Sequence, residues 1–211
     1  AQNRPAYPKP ALPSERMTVT GIYGGSFNPI HSGHTRLAEQ LCSQGRVDEL
    51  WLMVSPQNPL KRQAGLLDDE ARLHLARLAV QESRQVKVSD FEFHLPRPSF
   101  MVNTLAALRK HFPERRFVLV IGADNWLHFD RWYQPEEIRA HHQILVYPRP
   151  GYPLKTDSLP AGVILADTPL LNISSTEIRE EIHRGTYRDD GRLHPAVWEE
   201  IQAKGYYKTL F

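Results

Sequence analysis

Two segments, Leu50-Trp51-Leu52-Met53-Val54 and Phe117-Val118-Leu119-Val120-Ile121, are apolar at every position. A strand with one wet face alternates apolar and polar residues, so an unbroken apolar run is the mark of a strand covered on both sides. Around these runs lie stretches with helical spacing. Thr35 to Gln44 places Leu37, Ala38, Leu41 and Cys42 on one face, with Gly45 as a stop. A second helix is opened by Asp68 and Asp69 and aligns Ala71, Leu75, Leu78 and Ala79; a third aligns Thr104, Leu105 and Leu108. Strands covered on both faces and separated by amphipathic helices predict an α/β fold with a doubly wound parallel sheet, because parallel strands need helical crossovers.

The other elements fit this plan. Thr18–Tyr23, Val86–Phe93, Ile144–Tyr147 and Val163–Ala166 read as further strands, with helical material around Trp126, Trp132 and Ile138. Ser99 is read as the cap of the third helix. Ser174 and Glu177 stand at capping-box spacing before a helix that Gly185 stops, and a final helix runs from Pro195 to Gly205. Residues 1–16 carry Pro5, Pro8, Pro10 and Pro13 with few large aliphatics and read as a tail, leaving 17–211 as a single domain.

Composition narrows the function classes. A 41% hydrophobic and 24% charged chain is ordinary for a globular domain. The net charge of +2 is spread without basic blocks, so neither nucleic acid nor a membrane is an expected partner. Cys42 cannot form an internal disulfide, and there is no apolar run of spanning length or secretion-signal layout, which predicts a cytoplasmic protein. Composition leaves a homo-oligomer open.

Ligands of doubly wound sheets bind beyond the C-terminal ends of the strands. There the chain reads Gly24-Gly25-Ser26-Phe27-Asn28-Pro29-Ile30-His31-Ser32-Gly33-His34. Paired glycines let the backbone approach a phosphate, a helix start favours anions, and two histidines three apart can face one ligand. A tight turn followed by surface histidines is the plainer reading of the glycines alone. Zinc is not indicated, since third and fourth ligands at metal spacing are missing. Neither a Walker loop nor a Gly-x-Gly-x-x-Gly fingerprint is present. A second helix start, Ile173-Ser174-Ser175-Thr176-Glu177-Ile178-Arg179, offers hydroxyls, free amides and a guanidinium one turn in.

The first segment resembles the signature of the nucleotidyltransferase superfamily, Gly-Gly-Ser/Thr-Phe-(Asp/Asn)-Pro-x-His-x-Gly-His. Class I aminoacyl-tRNA synthetases share its His-x-Gly-His part. The second resembles the Ile-Ser-(Ser/Ala)-Thr-x-Ile-Arg motif of nicotinate and nicotinamide mononucleotide adenylyltransferases. The resemblance implies a Rossmann-like fold of the nucleotidyltransferase type. It also implies an ATP site at Gly24, Gly25, Ser26, Phe27, His31, His34, Gly122, Asp124, Ile173, Ser174, Ser175, Thr176 and Arg179, with His31, His34 and Arg179 catalytic. Weaker family-like segments around Ser55–Lys61, Arg97–Thr104 and Phe129–Tyr133 imply a mononucleotide site at Asn28, Lys61, Ser99, Thr104, Trp132 and Tyr133. Leu60 stands where the family has histidine, and Phe100 and Met101 depart from its Ser-Tyr-Thr segment. Trp126 reads as core.

The implied reaction joins nicotinate mononucleotide to the AMP part of ATP and releases pyrophosphate. The attacking phosphate is already anionic, so positioning and charge cancellation by His31, His34, Arg179 and Mg2+ suffice. The metal would be held mainly by substrate oxygens and water, with no metal-ligating side chains required. Adenylyl transfer to nicotinamide mononucleotide or phosphopantetheine is the nearest rival, and a silent nucleotide-binding module is a rival of another class.

Overall fold

A computed structural model describes residues 16–60 and 63–209. The expected tail, apart from Arg16, and Lys61 therefore lie outside the described residues. Six strands form one sheet: β1 (Thr18–Gly25), β2 (Glu49–Val54), β3 (Val86–Ser89), β4 (Arg115–Gly122), β5 (Ile144–Tyr147) and β6 (Val163–Leu165). Their spatial order is β3-β2-β1-β4-β5-β6, and every pairing is parallel. The order reverses between β1 and β4, which makes the crevice above those two strands the natural ligand position.

The unbroken apolar runs are explained by the two cores. Leu50, Leu52 and Val54 of β2 join Val118 and Val120 of β4 in one buried cluster, whereas Met53, Phe117, Leu119 and Ile121 belong to the other. Alternate residues thus serve opposite faces. The first face is covered by α1 (Ser32–Ser43), α2 (Asp69–Ala79), α6 (Ser175–Arg184) and α7 (Pro195–Lys204), which contribute Leu41, Leu75, Ile178 and Val197. The second is covered by α3 (Met101–His111) and α5 (Pro135–His141), through Leu105, Leu108 and Ile138, with the short α4 (Ala123–Leu127) at the end of β4. Each fully buried Leu or Ile contributes about 1.5 to 3 kcal/mol.

Three expected boundaries need correction. The strand expected over Val86–Phe93 stops at Ser89, whose hydroxyl accepts the Phe91 N–H at 3.2 Å, and Phe91–His94 winds as a 3-10 turn. The apolar phase slips by one between Val88 and Phe91, so one strand could not have kept both on a single face. Ser99 does not cap α3: the N-cap is Phe100, without a side-chain bond, and Ser99 Oγ is buried without a partner. Helix α1 starts at Ser32 rather than Thr35, because His31 caps it.

A buried carboxylate binds the N-terminal ends of the strands together. Glu49 accepts from Thr20 Oγ1 at 2.9 Å, Arg115 Nε at 2.8 Å and Lys87 Nζ at 3.0 Å, joining β1, β2, β3 and β4. Burial alone would raise its pKa, but the bonds from Arg115, Lys87 and Thr20 outweigh that and hold it below 4.5. A depressed carboxyl adds stability that is present above the unfolded pKa and lost as pH falls through the folded one. Glu49→Gln is expected to cost about 2 kcal/mol at pH 7, the scale of a hydrogen bond to a charged group. Denaturant titrations should show the wild-type advantage shrinking as pH falls below about 4.5.

Candidate active site

Four strand ends and two helix starts meet above the sheet reversal. The first loop is shaped by a buried guanidinium, that of Arg72 in α2. Its Nη1 donates to the carbonyls of Ser26 at 2.8 Å and Ser55 at 2.7 Å, its Nε to that of Leu67 at 2.8 Å, and its Nη2 to Asp69 at 2.7 Å. The loops that follow β1 and β2 are thereby held side by side. Asp69 also takes the Gln57 N–H and Arg97, extending the clamp to the segment before α3.

The histidines are placed by an unusual cap. His31 Nδ1 accepts the Gly33 N–H at 3.0 Å, and His34 Nδ1 accepts the His31 N–H at 3.1 Å, completing a reciprocal capping box made of imidazoles. The rings stack with centroids 3.7 Å apart and planes inclined by 23°. A Cβ on residue 33 would lie 2.7 Å from His31 Cε1, which is why a glycine stands between the histidines. Phe27 and Tyr23 wall His34 with edge contacts at 4.9 and 6.1 Å.

Two consequences follow for the chemistry. The Gly33 amide is spent on His31 and the Ser32 amide on the Arg192 carbonyl at 2.8 Å, so the start of α1 offers fewer free amides than its sequence suggests. With both Nδ1 atoms accepting, each neutral ring carries its proton on Nε2. Burial, with help from Arg149 and Arg192, pushes the His31 pKa down to about 3, and burial, the neighbouring ring and Arg149 push His34 well below its ordinary value. In this geometry the two rings are neutral, each with an Nε2–H left to donate.

The start of α6 is sewn to the first loop. Ser175 Oγ donates to the Pro29 carbonyl at 3.0 Å and Arg179 Nη1 to the Asn28 carbonyl at 2.8 Å, with Arg179 Nη2 3.4 Å from Thr176 Oγ1. Ser174 caps the helix by accepting the Glu177 N–H at 3.3 Å, as its spacing predicted. The amides of Ser175 and Thr176 fall among the first four of the helix, which have no intrahelical partner. Ile173 lines the same cleft as His31 and His34. At the end of β4, a Cβ on Gly122 would meet Asp124 Oδ1 at 2.5 Å; that oxygen is buried and has no hydrogen-bond partner in the protein.

Beside this cleft is a pocket of about 430 Å3 lined by Ser55, Gln57, Arg97, Ser99, Trp132 and Tyr133 among others. Met101, on the wall of this pocket, reaches the end of β1: its Cε lies 3.1 Å from the Cβ position of residue 24. Ser99, Trp132 and Tyr133 thus stand together as predicted. Thr104 and Asn28 do not line the pocket. Thr104 is buried and donates to Glu92 at 2.6 Å, so it orients a pocket wall. The Asn28 side chain instead donates one N–H to the Gly65 carbonyl at 2.8 Å and accepts from Leu67 N–H at 3.2 Å and Tyr207 Oη at 2.6 Å. Glu92, whose burial raises its carboxyl pKa against bonds from Thr104 and Ser55, was not anticipated, nor was Arg149 at the end of β5. Trp126 stacks on Phe129 as core, as expected.

A cytidylyltransferase-like family model matches residues 22–181. A probable nicotinate-nucleotide adenylyltransferase of Bacteroides fragilis is 52% identical over 87% of this chain and 91% of its own length. The chain belongs to that adenylyltransferase family. A relative of the same description from Flavobacterium psychrophilum is 41% identical over 89% of this chain and 98% of its own. In fold the chain is similar to Plasmodium falciparum nicotinic acid mononucleotide adenylyltransferase complexed with NaAD, with a TM-score of 0.77 at 20% identity, over 90% of this chain and 98% of the other. The family's two motifs are here the two segments that Ser175 and Arg179 tie together.

The protonation state of the rings is directly measurable. Ring-nitrogen NMR of the ligand-free protein at pH 6 should show both imidazoles neutral with hydrogen on Nε2, whereas an unperturbed histidine of pKa about 6.5 would be mostly protonated there. A protonated pair at pH 6 would contradict the buried capping geometry.

Proposed function

We propose that this chain transfers the adenylyl group of ATP to nicotinate mononucleotide, giving nicotinate adenine dinucleotide and pyrophosphate in NAD biosynthesis. The observation that carries the proposal is the presence of two unlike sites at the C-terminal edge of one parallel sheet. One holds two Nε2–H donors and the start of α6; the other is an aromatic pocket with Arg97 and Arg131 on its wall.

The triphosphate lies over the imidazole pair and the start of α6, with Asp124 Oδ1 an acceptor for a ribose hydroxyl. The mononucleotide lies in the second pocket, its ring against Trp132 and its phosphate turned toward ATP. A phosphate oxygen of the mononucleotide attacks the α-phosphorus in line. The new P–O bond forms as the bond to the bridging oxygen breaks, and that electron pair leaves on pyrophosphate. Neutral Nε2–H groups donate without the reorganisation that a mobile charge would need. Arg179 braces the first loop through Asn28 and reaches phosphate from that position.

Among the described residues no group of three His, Cys, Asp or Glu could cage a metal. This donor set fits magnesium that arrives on phosphate oxygens, where it would screen charge on the triphosphate. No helix among the described residues is long and apolar enough to cross a membrane. A cytoplasmic setting, with ATP at hand, belongs to the same proposal.

Pyrophosphate release with ATP and magnesium tests the acceptor. Arg97, Arg131 and the free amides at the start of α3 suit a pyridine carboxylate, and an amide would leave donors facing donors at about 1 to 3 kcal/mol each. Several mismatches predict a kcat/KM for nicotinate mononucleotide at least roughly a hundredfold above that for nicotinamide mononucleotide. Equal values would make the enzyme dual-specific. His34→Ala should lower kcat by roughly a hundredfold or more, the usual effect of removing one preorganised donor. A folded variant with wild-type kcat would remove His34 from the reaction.

A further inference from the structure

Two helix starts supply donors to the cleft: the imidazole pair belongs to the start of α1, and the amides of Ser175 and Thr176 to that of α6. Both must be in register, since a misplacement of about 1 Å can cost roughly a hundredfold in rate. The bonds from Ser175 and Arg179 end on Pro29 and Asn28, short of α1 itself. The bond that reaches α1 comes from further along the chain. Ser32, the first residue of α1, donates its N–H to the Arg192 carbonyl at 2.8 Å.

Arg192 lies in the connection between α6 and α7, and its side chain shapes that connection around itself. Asp190 accepts its main-chain N–H at 3.2 Å and its Nε at 2.9 Å, while Nη2 donates to Glu181 in α6. The guanidinium lies 5.1 Å from the Tyr187 ring, which packs on Trp198 of α7 with centroids 4.5 Å apart. The next residue, Leu193, is buried, and His194 caps α7 by accepting the Ala196 N–H at 3.0 Å. Turning the Arg192 carbonyl away from Ser32 would strain both the turn closed by Asp190 and the pair with Glu181. One residue thus grips α6 through its side chain and the start of α1 through its carbonyl.

We infer that Arg192 is a positioning residue that holds the imidazole pair in place relative to α6. The inference rests on the adenylyl-transfer reading above. Ser32 directly follows His31, and the Gly33 N–H is held by the His31 ring, so the first two amides of α1 are fixed by Arg192 and by the ring it places. A free Ser32 N–H at a helix start would also draw a phosphate oxygen toward the main chain and away from the ring donors. The Arg192 carbonyl closes that alternative.

The test compares wild type, Arg192→Ala and Arg192→Lys with ATP, magnesium and nicotinate mononucleotide; Arg188→Ala, at an exposed position of the same connection, is the control. Thermal melts establish folding, and amide exchange by NMR reads Ser32 and Gly33. We expect kcat to fall roughly tenfold in Arg192→Ala with both KM values within about threefold, because the donors it places act in the transition state. The Ser32 and Gly33 amides should exchange at least roughly tenfold faster, while those of the central strands keep their wild-type rates. Arg192→Lys, which can still reach one acid, should recover most of kcat. If Arg192→Ala does not fold, Glu181→Gln, which loosens the grip on α6 and leaves the Asp190 turn intact, carries the same comparison. Wild-type kcat in a folded variant, a loss confined to KM for ATP, or unchanged exchange at Ser32 would overturn the inference, as would faster exchange throughout the sheet with kcat unaltered. If wild type releases no pyrophosphate with nicotinate mononucleotide, the acceptor reading fails. Exchange at Ser32 and Gly33 then still decides Arg192, with equal rates in wild type and variant counting against it.

Discussion

A single buried guanidinium organises the upper surface of the sheet. Arg72 has no exposed side-chain surface, yet it donates to three loop carbonyls and one carboxylate. Loop carbonyls beyond the ends of β1 and β2 have no strand partner there, and burying them unpaired would cost free energy comparable to a lost hydrogen bond each. Arg72 satisfies two of them with one rigid fork, which also fixes the distance between the loops. Removing it would leave those carbonyls unpaired and Asp69 with only Arg97 and the Gln57 N–H, a loss of about 3 to 5 kcal/mol on the scale of broken buried pairs. The loop bearing the histidines and the loop bordering the second pocket are therefore one construction.

The fold was legible because its signals are local and strong. Both unbroken apolar runs became central strands, and the helices opened by Asp68 and Ser174 and stopped by Gly185 and Gly205 stand where capping chemistry put them. Errors arose where one residue type serves two ends. Ser99 has the identity of a cap, yet its hydroxyl is buried without a partner, and Phe93 has the identity of a strand residue and belongs to a 3-10 turn.

The site was legible in outline and hidden in its wiring. Both helix-start motifs were visible as strings, but which carbonyl Arg179 seeks, or that Asn28 bonds Gly65, Leu67 and Tyr207, depends on partners between 37 and 179 residues away. Arg72 on a helix and Glu92 after a strand look like solvated charges until the loops fold over them. Arg149 could have been found, since it stands two residues past the end of β5 at the ligand-binding edge. Lys61 lies outside the described residues.

The Asn28–Tyr207 bond has a consequence for how the molecule is made. Tyr207 is held at φ +67° with its ring almost fully buried, and its hydroxyl reaches a residue in the first loop. Ser175 and Arg179 make similar returns to Pro29 and Asn28. During synthesis the first strand and its glycine loop emerge early, but three of the groups that fix that loop are translated 146 to 179 residues later. A growing chain can therefore build much of its sheet while the first loop has its Arg72 brace but not its C-terminal ones. Catalytic competence is in this sense a late product of translation, set by sequence-distant closure and not by the motif that announces it.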